Sequence, residues 1–100
     1  MEVKVWYLPY CSHCKRLIAM LKEKGIRFES IDAESFIDES RHVEQLVGTN
    51  NYPILEVYVD HETIYYVNED IESSKIKEGI FVMPFQTIDN LVYQIEQLTK

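Results

Sequence analysis

Two thiols three residues apart, Cys11 and Cys14 in "YLPYCSHCK", are the only cysteines in the chain and its most reactive pair of side chains. Three chemistries use such a pair: a structural disulfide, half of a metal site, or a redox dithiol. A disulfide over two intervening residues closes too short a loop to restrict an unfolded chain by much. A zinc site needs further ligands, and the sequence offers no second cysteine pair, only His42 and His61 on a polar helix face and a turn. A redox dithiol needs one reachable thiol that ionises readily and a second, shielded one that attacks the resulting mixed disulfide. That spacing supplies both if Cys11 begins a helix, where unpaired backbone N–H groups favour a thiolate, and Cys14 lies one turn later on the core side. Cys11 is therefore expected to be the nucleophile and Cys14 the resolving thiol. His13, between them, is a candidate to interact with the Cys11 thiolate, with Lys15 and Arg16 adding positive charge.

The elements that would position this pair can be read from hydrophobic periodicity. "VKVWYL" (3–8) is apolar on both faces toward its end, as a central strand is. Cys14, Leu17, Ile18 and Leu21 then follow the offsets of one helical stripe, ending at Gly25. "IRFESI" (26–31) reads as a second strand, and Phe36, Val43, Leu46 and Val47 mark a short helix stopped by Gly48. "PILEVYV" and "TIYYV" flank Asp60, His61 and Glu62 as a hairpin. Thr87 can cap a last helix with its stripe at Ile88, Leu91, Val92, Ile95 and Leu98. The expected order is β-α-β-α-β-β-α. Residues 68–86 fit neither period and read as a polar connection followed by an extended piece at 80–83.

One hundred residues, 46% of them apolar, suffice for a single domain over 1–100 with a real core. No apolar run is long enough to span a bilayer, and the start lacks the pattern of a secretion signal, so the expected location is cytoplasmic. A net charge of −7 argues against nucleic acid. The charge is uneven: six Lys and Arg against Glu2 and Glu23 in residues 1–27, then four against fifteen acidic residues. The cysteine pair lies in the basic part.

The strand, the Cys-x-x-Cys at a helix start and the following β-α-β-β-α together resemble the glutaredoxin family. "YLPYCSHCKRLIAMLKEKGIRFESID" is similar to that family's opening, and "NNYPILEVYV" supplies Pro53 where the family carries a cis-proline facing the dithiol. The resemblance implies an α/β, thioredoxin-like fold with a central four-stranded mixed sheet flanked by helices, and a thiol-disulfide oxidoreductase acting on protein disulfides or glutathione mixed disulfides. It implies Tyr10, His13, Tyr52 and Pro53 as substrate-contacting residues beside Cys11 and Cys14. The expected protein is a monomer with no tightly bound cofactor. Its partners would be disulfide-containing proteins, ribonucleotide reductase among the candidates, with glutathione or a thioredoxin reductase as electron donor. Two family landmarks that meet glutathione carboxylates are absent: Leu8 stands where a lysine is common, and "VNEDIESSK" replaces a Gly-Gly pair after the fourth strand. Their loss moves the expected donor toward a flavoprotein reductase. Ser12 inside the dithiol also resembles family members that bridge a [2Fe–2S] cluster between protomers, and a redox-inert binding module on the same fold is a third reading.

Overall fold

The computed structural model describes residues 1–99. Its backbone runs β1 (Glu2–Tyr7), α1 (Ser12–Glu23), β2 (Glu29–Asp32), α2 (Ile37–Val47), β3 (Ile54–Val59), β4 (Glu62–Val67), β5 (Ser74–Lys77), β6 (Ile80–Pro84) and α3 (Ile88–Leu98). The strands form one mixed sheet in the order β2-β1-β3-β4-β6-β5. β1 pairs parallel with β2 and antiparallel with β3, β3 pairs antiparallel with β4, and β6 lies parallel to β4 with β5 antiparallel at the edge.

The sheet separates two apolar layers. On one side Val3, Val5, Leu55 and Val57 meet Leu17 and Leu21 of α1 and Leu91 and Ile95 of α3. On the other, Trp6, Ile54, Tyr65 and Val67 meet Val43 and Val47 of α2. β1 contributes to both layers, which is why its sequence is apolar on both faces. Among the described residues, no helix is long and apolar enough to cross a membrane.

Three expectations need correction. Among the described residues the sheet has six strands where four were expected: the extended piece expected at 80–83 is β6, and within the stretch expected as a polar connection β5 pairs with it, so that 68–84 form an excursion of the sheet. β5 offers a single half-buried apolar residue, Ile76, so its sequence carries almost no period; its strand conformation comes from pairing with β6. Gly79, at φ +78°, turns the chain between the two strands, and its carbonyl accepts from the Thr63 N–H at 2.8 Å. The ends of the excursion meet, with the Phe85 N–H donating to the Val67 carbonyl at 2.9 Å, so β4 still leads to α3 as a short turn would make it.

The second strand begins at Glu29, not at Ile26. The Ile26 N–H donates to the Leu21 carbonyl at 3.0 Å, wrapping the chain around the left-handed Gly25 to finish the helix, and Phe28 packs on the core before pairing starts. In the third case, Phe36 does not belong to the buried stripe of its helix. It sits at the α2 N-cap, half exposed, while the buried Ser40 hydroxyl bonds the Ala33 carbonyl at 3.0 Å and fixes the approach to that helix.

Candidate functional site

β1 ends at Tyr7, and the turn Leu8-Pro9-Tyr10 delivers Cys11 to the N-cap of α1. The Cys11 N–H donates back to the Leu8 carbonyl at 3.2 Å, closing that turn. Cys11 has an extended backbone (φ −92°, ψ 114°), and its sulfur takes the place that a serine or aspartate oxygen takes at other helix starts. It accepts the Cys14 N–H at 3.2 Å. Both cysteines are free thiols, Cys11 half-buried and Cys14 fully buried. Burial, reinforced by a hydrogen bond to the Cys11 sulfur, pushes the Cys14 thiol up to about 12 from an ordinary 9.0.

The opposite wall comes from the chain entering β3. The Tyr52–Pro53 peptide bond is cis and Pro53 is buried. The Cys11 thiol lies 3.7 Å from the Tyr52 carbonyl, to which it donates. Cys11, Cys14, Tyr52 and Pro53 are thus brought together from positions up to 42 residues apart. Tyr10 is adjacent but 71% exposed. His13 lies exposed on the first turn of α1, and among the described residues no hydrogen bond ties it to either sulfur.

Several side chains around this pair escaped the sequence reading. The Tyr10 hydroxyl donates to Glu34 at 2.9 Å, and the Tyr52 hydroxyl donates to Glu44 on α2. Hydrogen bonding to Glu34, and then that carboxylate's charge, raises the Tyr10 pKa. Burial and then Glu44 raise that of Tyr52. Glu69, in the excursion, accepts from Thr49 and Asn51 and so braces the loop that leads into Pro53. Arg16 of α1 is held by Asp89 in the first turn of α3 at 2.8 Å. No local pattern announces these partners, because each joins residues far apart or in different elements.

A cysteine at a helix N-cap facing a cis-proline, on a mixed sheet with helices on both faces, defines a thiol-redox protein of thioredoxin-like fold. A family model for glutaredoxin matches residues 3–64, and the chain belongs to the glutaredoxin family. No curated protein matches it in sequence.

Proposed function

We propose that the protein is a dithiol oxidoreductase with Cys-Ser-His-Cys as its active site, reducing disulfides through Cys11 and Cys14. The observation that carries this reading is the asymmetry of the pair: a half-buried cysteine at the N-cap, and a fully buried cysteine one turn on whose backbone N–H points to the first sulfur at 3.2 Å. The Cys11 thiolate attacks one substrate sulfur, forming a Cys11–substrate disulfide as the original S–S bond breaks, and the departing thiolate takes up a proton. Cys14, held protonated until then, surrenders its proton and attacks the Cys11 sulfur. A Cys11–Cys14 disulfide forms, the second substrate thiol leaves, and two electrons have passed to the substrate. Tyr52, whose carbonyl receives the Cys11 thiol in the resting state, borders the incoming chain together with Pro53.

Return to the dithiol requires an external donor. Leu8 and the excursion at 68–84 stand in place of two glutathione-contacting landmarks of the family, which favours a flavoprotein reductase over glutathione. The expected substrates are protein disulfides.

The roles are tested by trapping. With a disulfide substrate, Cys14→Ser should accumulate a mixed disulfide on Cys11, visible as a mass adduct, whereas Cys11→Ser should neither form the adduct nor turn over. Equal trapping by both variants would refute the assignment. Parallel turnover with glutathione and with a thioredoxin reductase identifies the donor.

A further inference from the structure

The tyrosines on either side of Cys11 do not end in solvent or in the core; each ends on a carboxylate. Tyr10, the residue before Cys11, reaches across to Glu34 in the β2–α2 connection, and Tyr52, whose carbonyl receives the Cys11 thiol, reaches Glu44 on α2. Asp32 lies behind Glu34, accepting its N–H at 2.9 Å, and its charge also acts on the Tyr10 hydroxyl. Glu69 stands beyond Tyr52, on Thr49 and Asn51. A tyrosine hydroxyl is about 6.5 Å from its own Cα and neighbouring Cα atoms are about 3.8 Å apart, so the link through one tyrosine keeps Glu34 and Glu44 each within about 16 Å of the Cys11 sulfur. That is under about two Debye lengths at 0.1 M salt and about half of one at 0.01 M.

The cations nearby are fewer. Arg16 is engaged by Asp89, which leaves Lys15 and His13 exposed on the first turn of α1 and Arg41 exposed on α2, one turn before Glu44. The Cys14 N–H, which would otherwise help receive an anion at this helix start, is turned to the Cys11 sulfur. The basic character of residues 1–27 therefore does not carry over to the place where a substrate must approach.

We propose that Glu34 and Glu44 make this site select disulfides that carry positive charge beside the sulfur, such as cystines set in basic peptide segments, over anionic disulfides. This rests on the dithiol reading above. Neither carboxylate touches the sulfur. They act through the field they impose on the approach path, so the effect appears in the rate of the first exchange and is screened by salt. One tyrosine hydrogen bond ties each carboxylate to a residue that borders or contacts Cys11.

The test uses three small disulfides of similar size: cystamine (cationic), bis(2-hydroxyethyl) disulfide (neutral) and 3,3′-dithiodipropionate (anionic). Each is reacted with the reduced protein in a single turnover, and the loss of protein thiols is followed by alkylation and mass. Because the three differ in intrinsic reactivity, each rate is divided by that of dithiothreitol with the same disulfide. The normalised rate should favour cystamine over dithiodipropionate by about tenfold at low ionic strength, and that preference should shrink to about twofold near 0.5 M salt. In the double variant Glu34→Gln, Glu44→Gln, which keeps acceptors for both hydroxyls, the low-salt preference should fall at least threefold.

If none of the disulfides oxidises the protein, the dithiol reading itself fails. If all three react without a charge preference, or with a preference for the anion, the dithiol reading stands and the selectivity is overturned. A preference that persists in a folded double variant overturns its assignment to these two carboxylates. Should that variant not fold, the salt series on the unaltered protein still decides the selectivity.

Discussion

Alkylation of the reduced, folded protein by iodoacetamide should modify one cysteine and spare the other by a wide margin. Only the thiolate reacts, so the rate at each site scales with its ionised fraction and its accessibility. Burial, with the hydrogen bond to Cys11 second, pushes Cys14 to about 12 against an ordinary 9.0. At pH 8 that difference of three lowers the Cys14 thiolate population about a thousandfold relative to an unperturbed thiol. Its side chain is also wholly inaccessible, which slows it further. Peptide mapping after timed exposure should therefore place nearly all label on Cys11. Between pH 8 and 10 the Cys14 rate should climb about tenfold per pH unit without reaching a plateau. Replacing Cys11 by Ser should leave Cys14 slow, because burial is the larger cause, whereas in concentrated urea it should react as an ordinary thiol. Comparable labelling of the two cysteines in the folded protein, within tenfold, would refute both the burial argument and the division of roles built on it.

Alkali should destabilise the reduced fold from about pH 9 upward. Cys14, Tyr65 (up to about 12, from burial and then Glu56), Tyr52 and Tyr66 all hold their protons more tightly when folded than their ordinary values of 9.0 and 10.0. The unfolded chain then binds fewer protons than the native one, so the stability these groups contribute is complete below pH 9 and declines as pH rises through the folded values. Urea midpoints measured from pH 7 to 11 should be level at first and then fall; a rise would contradict the sign. Leu91→Ala, at a fully buried position on α3, should cost about 2–5 kcal/mol in urea unfolding. By contrast Asp89→Asn, which removes the Arg16 ion pair between α1 and α3, should cost under about 1 kcal/mol, since both side chains are more than half exposed. A larger loss would mean that this pair holds the two helices together.

The cysteine pair and most of the frame around it were legible because both depend on local rules. Cys-x-x-Cys at a strand-to-helix junction puts the two sulfurs one turn apart in any helix that starts there, and the stripe Cys14, Leu17, Leu21 selects which sulfur is buried. The hairpin over Asp60 and His61, both at positive φ, and the capped α3 were equally local. The excursion was not. β5 has the sequence "SKIK", which takes its conformation from the hydrogen bonds of β6, and β6 in turn is placed by β4, from which it is separated by the whole of 68–79.

The same division runs through the site. The sequence by itself determined the two sulfurs and their order along a helix, since helix periodicity acts over a few residues, whereas the proline facing them was implied by the family resemblance and is brought there by the fold. Tertiary structure alone decided which carboxylates the flanking tyrosines engage. Glu34, Glu44 and Glu69 are unremarkable members of an acidic sequence until the sheet order brings α2 and the β4–β5 connection to the end of β1. Charge acts through space while sequence patterns report neighbours along the chain, so the basic tract containing Cys11 and Cys14 conceals an acidic surround.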